Sequence, residues 1–237
     1  MQQGKLLILP NSFLDTQPLD DLMPLDHLKK MALGVSAWVF ESKKMGFRFV
    51  AKLKIPELKT LPYFELSEHT DEKDLKEIQQ ELLSGKTLGL VSDAGLPCLA
   101  DPGSKLVLFC RKHHIKVDYV VGPSSITLAL LVSGLSAQNF YFCGYLPKEI
   151  GERENRVKML IERSLKEEMT IACIETPYRN EALLDTLLKL LPKHAYISLA
   201  IDLTLPTEEV ITLRPQEVKK ESLKVNDRPM IFLFGFK

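Results

Sequence analysis

The chain has 237 residues, 45% hydrophobic and 26% charged, an ordinary globular mix that excludes a disordered, collagen-like or coiled-coil protein. Its 31 Lys and Arg balance 31 Asp and Glu, for a formal net charge of zero. Nonspecific coating of nucleic acid is therefore excluded, and any nucleic-acid contact has to be a local patch. The length suits one large α/β unit or two compact halves. Cys98, Cys110, Cys143 and Cys173 lie far apart without a CxxC pair, so they read as small core residues, not a disulfide framework. The histidines show no metal-ligand spacing, and no metal is expected. A short apolar start stopped by Pro10 does not resemble a signal peptide. The uncharged stretch from Tyr119 to Pro147 is broken by Gly122, Pro123, Ser133 and Gly134, which argues against a membrane span. A cytoplasmic protein is expected.

In chain order, the pattern predicts a strand at Lys5–Leu9, a helix at Pro24–Leu33, a strand at Val35–Glu41 and a helix at Lys43–Leu53. A helix at Asp71–Leu83 follows, with Thr70 as its N-cap and Asp71, Glu72 and Asp74 suiting its dipole. Next come a strand at Thr87–Ser92, a helix at Gly103–His113 and a strand at Lys116–Val121. Beyond it lie a helix at Ser125–Ser133, a strand at Asn139–Cys143, a helix at Arg153–Leu165, a strand at Thr170–Glu175 and a helix at Arg179–Leu190. The chain closes on strands at Ala195–Ile201, Glu209–Leu213 and Pro229–Phe236. Strand-then-helix alternation implies crossovers and a largely parallel sheet, and the closing run of strands suits a mixed one. Two α/β domains are expected, residues 1–120 and 121–237.

The dinucleotide fingerprint GxGxxG and the nucleophile elbow GxSxG are absent. Gly85-Lys86-Thr87 resembles the end of a phosphate-binding loop, but Gln80 stands where its first glycine belongs, and a helix precedes the tripeptide. Chemistry is concentrated in three loops. Leu90 to Gly103 is a 14-residue strand-to-helix passage holding two aspartates, two prolines and Gly95. It is long for such a connection and sits where open α/β sheets bind ligands. Ser124 and Ser125 open an apolar helix, as caps or as ligand contacts. Glu175 ends a strand and Arg179 lies one turn on, a pair that can orient a polar substrate or simply start a helix.

The strings VSDAGLPCLADPG, VGPSSI, GYLPKEIGER and ETPYR, in this order, resemble those of the tetrapyrrole-methylase-type S-adenosylmethionine methyltransferases, in the branch acting on small-subunit ribosomal RNA. The resemblance spans roughly Thr87 to Thr204. It implies two α/β domains with the cofactor S-adenosylmethionine in the cleft between them, and a homodimer. Position by position, it places Pro10, Asp93, Leu96, Ser124, Ser125, Leu146, Ile174 and Ala200 at the cofactor. It further implies transfer of a methyl group to a ribose 2′-hydroxyl of ribosomal RNA. Methylation of a small, tetrapyrrole-like molecule and a catalytically eroded cofactor-binding module are the alternatives. The departures are a first loop without its glycine (Leu9-Pro-Asn-Ser-Phe-Leu-Asp15), Phe40-Glu-Ser-Lys-Lys44 for AEDTR, Asp202-Leu-Thr-Leu205 for ELTK, and Arg228-Pro-Met230 for KGE.

Methyl transfer from a sulfonium is an in-line displacement served by positioning and a dry site. A ribose hydroxyl is a poor nucleophile that a nearby base assists. Glu175 is the first candidate, with Arg179 orienting the substrate; Glu41 and His69 are weaker ones. Lys44, Arg48 and Lys52 fall at i, i+4 and i+8 of a helix and are expected to meet RNA phosphates, with Phe47 and Phe49 packing inward or stacking on a base.

Overall fold

The computed structural model describes residues 4–14 and 17–236, apart from the side chain of Glu221. The chain divides into two compact units, Met1–Ser124 and Ser125–Lys237; the sequence reading put the break after residue 120.

In the first unit the order is β1 (Lys5–Ile8), α1 (Leu25–Ala32), β2 (Ala37–Phe40), α2 (Lys43–Leu53), β3 (Tyr63–Glu65), α3 (Glu72–Leu83), β4 (Thr87–Val91), α4 (Ser104–Lys112) and β5 (Lys116–Tyr119). The strands form a five-stranded sheet in the order β3-β2-β4-β1-β5, with every pairing parallel. Strands covered on both faces need apolar side chains on both, hence the near-continuous apolar runs of β1, β2 and β4. One face packs Leu7, Trp38 and Phe40 against Leu28, Phe49 and Leu53 of α1 and α2. The other packs Leu6, Val39 and Leu88 against Ile78, Leu82, Leu106 and Cys110 of α3 and α4. Parallel order brings the carboxyl ends of β1, β2, β4 and β5 to one edge, where ligand loops gather in such sheets.

The second unit runs α5 (Ser125–Val132), β6 (Phe140–Tyr145), α6 (Ile150–Glu167), β7 (Thr170–Ile174), α7 (Asn180–Leu190), β8 (Tyr196–Ile201), β9 (Glu209–Leu213) and β10 (Met230–Gly235). Its sheet order is β6-β7-β10-β8-β9. Only β6 and β7 pair parallel; β10 runs antiparallel to both β7 and β8, and β9 antiparallel to β8, so the sheet is mixed. Helices α6 and α7 cover one face through Val157, Leu160, Leu183 and Leu187, and α5 covers the other through Ile126, Ala129 and Leu130.

Three local expectations change. The N-cap of α3 is Asp71, whose Oδ1 accepts the Asp74 amide at 2.9 Å. Thr70 instead accepts the Ser67 amide at 2.7 Å, closing the preceding turn. Strand β3 has no counterpart in the predicted elements, because three half-exposed residues after Pro62 carry no period to read. Strand β6 continues past Cys143 to Tyr145, its register shifting where Gly144 takes a positive φ of 68°. Gly85-Lys86 is a helix stop: the Gly85 amide bonds to the Leu82 carbonyl and the Lys86 amide to that of Glu81, with Gly85 at φ 95°.

No helix among the described residues is long and apolar enough to cross a membrane.

Candidate functional site

In the first unit three loops converge at the carboxyl edge of the sheet. The turn after β1 begins with Pro10 and Asn11. Asn11, 2% exposed, donates from Nδ2 to the Ser92 and Asp93 carbonyls, both at 3.1 Å. Its own amide donates to the Gly95 carbonyl at 2.8 Å, and Oδ1 accepts the Ser12 amide at 2.8 Å. One buried side chain thus fixes the β1 turn against the β4 loop. The third loop meets them at Gly122. A Cβ there would lie 2.1 Å from Pro10 Cβ and 3.5 Å from Leu96, so only glycine lets this backbone in. Pro10 and Leu96, both expected at the cofactor, are thereby brought together.

Beside this junction lies a pocket of about 440 Å³ lined by Ile8, Leu96–Leu99 and Tyr119–Gly122, within the range of roughly 300–1,000 Å³ typical of small-molecule sites. Its wall is almost wholly apolar, and Tyr119 and Val121 stand more than two-thirds exposed at 68% and 69%. The β4 loop is conformationally costly: Cys98 and Ala100 hold φ of 70° and 66° without being glycine, and such strain gathers at functional loops.

Asp93 is not among the residues lining this pocket. Its Oδ1 accepts the Ser42 amide at 3.1 Å and the Ser42 hydroxyl at 2.8 Å, while Ser42 caps α2. Its amide donates to Glu41 Oε2 at 3.0 Å. Asp101 belongs to the same acidic neighbourhood. Burial pushes its carboxyl from the usual 3.8 up to about 7, reinforced by the charges of Glu41, Asp93 and Glu68. The Ser92 hydroxyl opposes the shift, but its hydrogen also serves the Ala94 carbonyl at 3.0 Å. Burial likewise raises Glu41. His69 is an exposed turn residue.

Helix α2 carries the basic stripe. Lys44 and Arg48 are exposed, whereas Lys52 is half-buried. The Lys52 ammonium donates to Ser12 Oγ at 2.7 Å and to the Gln17 and Leu14 carbonyls at 3.1 and 3.2 Å. Phe49 is fully buried, and Phe47 packs edge-on against Phe40 and Tyr63; both aromatics therefore face the core.

In the second unit Glu175 follows β7, with its side chain 1% exposed and that of Arg179 18%. Glu175 Oε1 accepts the Thr176 amide at 2.7 Å and hydroxyl at 3.2 Å. Arg179 Nη2 bridges both carboxylate oxygens at 2.5 Å, while Arg179 Nε is buried with no partner among the described residues. Asn180, which the sequence reading passes over, anchors the turn: its Nδ2 donates to the Val225 and Arg228 carbonyls at 2.9 and 2.8 Å. Ile174, Ile231 and Ala200 form one register row across β7, β10 and β8, on the α5 face. Leu146 packs on the opposite face with α6 and α7, apart from Ile174 and Ala200. Ser125 opens α5, and Ser124 is buried. Two of the family departures meet: Arg228 Nε donates to Asp202 Oδ2 at 2.8 Å, joining the loop after β8 to the turn before β10.

A parallel α/β sheet with three loops gathered at its carboxyl edge, joined in sequence to a mixed α/β unit, defines a class of two-unit α/β proteins. The Tetrapyrrole (Corrin/Porphyrin) Methylases profile matches residues 40–219, and the chain belongs to that family. It is 40% identical over 126 residues to the Ribosomal RNA small subunit methyltransferase I of Thermotoga maritima, an alignment spanning 53% of each chain. To the protein of the same name from Coprothermobacter proteolyticus it is 32% identical over 184 residues, 78% of this chain and 80% of the relative. The first relatives are matched over only about half their length, 53%, 48% and 52%. Among solved structures, uroporphyrin-III C-methyl transferase from Thermus thermophilus, complexed with S-adenosylhomocysteine, has a TM-score of 0.56 at 16% identity. That comparison covers 98% of this chain and 97% of the other.

Proposed function

We propose that this chain is an S-adenosylmethionine-dependent methyltransferase acting on the RNA of the small ribosomal subunit, at a ribose 2′-hydroxyl. The observation that carries the reading is the 32% identity to a ribosomal RNA methyltransferase across 78% of the chain. The strings VSDAGLP and VGPSS support it, because they lie on the ligand edge of the parallel sheet. The first unit fits the cofactor: its pocket has the volume and apolar wall for an adenosyl group, and Gly122 lets Pro10 pack against the pocket's edge. When bound, the cofactor supplies an electrophilic methyl group on a sulfonium. Pro10, Leu96 and the Ser124–Ser125 turn hold it, and Asp93 sets the shape of the β4 loop.

Glu175 and Arg179 handle the substrate in this reading. Glu175 accepts the Thr176 amide and hydroxyl and holds Arg179 Nη2 across both its oxygens, so its first effect is to orient Arg179. Lys44 and Arg48 supply phosphate contacts. A homodimer is part of the proposal, supported by exposed apolar side chains on α5 and β6, Leu131 at 76% and Phe140 at 43%. Labelled cofactor offered with small ribosomal subunits and with naked RNA tests the activity. Label is expected on the RNA of the subunits. Transfer only to small tetrapyrrole-like acceptors overturns the RNA assignment, and binding without any transfer identifies an eroded module.

A further inference from the structure

Helical spacing groups Lys52 with Lys44 and Arg48, but its surroundings separate it from them. Helix α2 buries Phe49, Val50 and Leu53, and this turns Lys52 toward the turn after β1. There, among the described residues, the ammonium meets three oxygens from three positions of one loop: Ser12 Oγ at 2.7 Å, Gln17 carbonyl at 3.1 Å and Leu14 carbonyl at 3.2 Å. An ammonium is a compact charge with three donors, so it can gather carbonyls that point to a common centre. This is the loop whose family counterpart carries a glycine that the present chain lacks. It also presents Pro10 to Gly122 and Leu96, and its Asn11 holds the β4 loop. The opposite end of the loop, at Leu14 and Gln17, is tied to α2 through Lys52.

We propose that Lys52 is a positioning residue, its ammonium holding the loop after β1 in the shape that receives the cofactor, and that it is not a phosphate contact. The proposal rests on the cofactor reading above. It assigns the basic stripe two tasks, RNA for Lys44 and Arg48 and loop geometry for Lys52.

The test compares K52M and K52R with the wild-type full chain in three measurements. Calorimetry gives the affinity for S-adenosylhomocysteine, a salt titration gives that for single-stranded RNA, and amide exchange without ligand reports on Ser12 and Gln17. Both amides are hydrogen-bonded within the loop, to Asn11 Oδ1 at 2.8 Å and the Leu14 carbonyl at 3.1 Å. K52M is expected to weaken S-adenosylhomocysteine about tenfold, since carbonyls gathered by a charge lose their partner. It should also speed exchange at both amides and leave RNA affinity and its salt slope unchanged. K52R should recover part of the cofactor affinity, and in turnover assays K52M should raise KM for the cofactor with kcat at saturation retained. K52R carries the same readouts where K52M is too unstable to purify. Wild-type cofactor affinity in K52M overturns the proposal, as does a loss of RNA affinity with cofactor binding intact. If the wild type binds no S-adenosylhomocysteine, the cofactor reading fails instead; the exchange measurement still decides the clamp, and unchanged exchange overturns it.

Discussion

Asp101 is half-ionised near neutrality, with its carboxyl at about 7 against the usual 3.8. Between those values the folded chain holds a proton that the unfolded chain has lost, so stability falls as pH rises through this window. The group is only partly buried, and after solvent screening the effect is on the order of 1–2 kcal/mol. Asp101→Asn is therefore expected to stabilise the protein at pH 8 and to make little difference at pH 4, read by denaturant melts at both. A second residue-scale test concerns Glu175. Glu175→Gln removes the charge that Arg179 bridges while keeping the shape. Breaking one side of a buried pair costs roughly 3–5 kcal/mol, so Tm falls. In the proposed role turnover falls too, while S-adenosylhomocysteine affinity in calorimetry stays near wild type. Parallel losses in turnover and cofactor affinity assign Glu175 to the cofactor or to structure alone. Asp93→Ala is expected to cost about 1–3 kcal/mol in a urea melt, because the Ser42 amide and hydroxyl lose their shared acceptor.

At the scale of elements, α2 carries the clearest consequence. With Lys52 engaged by the β1 loop, the proposed phosphate contacts reduce to Lys44 and Arg48. Neutral changes at both, Lys44→Gln and Arg48→Gln, should flatten the salt dependence of RNA binding by about 1.4 log units per log unit of salt, at ~0.7 per single-strand phosphate. An unchanged slope leaves the stripe as ordinary surface and favours a small-molecule substrate. The helix itself was legible to its last residue, because Ser42 is a strong cap and Phe49, Val50 and Leu53 recur on the buried face. The parallel strands other than β3 were legible too, being short runs between turns. What the sequence does not mark is whatever depends on a partner distant in the chain. The Lys52 oxygens lie 35 to 40 residues earlier, and two of them are main-chain carbonyls with no side-chain signature. Thr70 and Asp71 are both capping residues, and only the Ser67 turn decides between them. Asn11 stood in view in the first loop, but its value lies in the Ser92 and Asp93 carbonyls, which no spacing rule pairs with it. In the candidate site, the loops could be read and their internal wiring could not.

For the whole molecule, the division after Ser124 has an energetic meaning. Each unit has its own five-stranded sheet with an apolar cluster on each face, Trp38 and Phe40 on one and Val39 and Leu88 on the other in the first unit. In the second, Phe232 and Phe234 pack toward α6 and α7, and Ile231 and Leu233 toward α5. A chain of about 110–120 residues with a core on both faces of its sheet is in the range of independently folding domains. Residues 1–124 and 125–237, expressed separately, are each expected to give an α/β circular dichroism spectrum and a cooperative urea transition. The m-value of each should be smaller than that of a single transition spanning the full chain, since m follows the surface exposed. A fragment that shows spectral structure without a cooperative transition identifies a unit whose core is completed by the other. In that case the two sheets form one folding unit, and the two-domain description holds for topology alone.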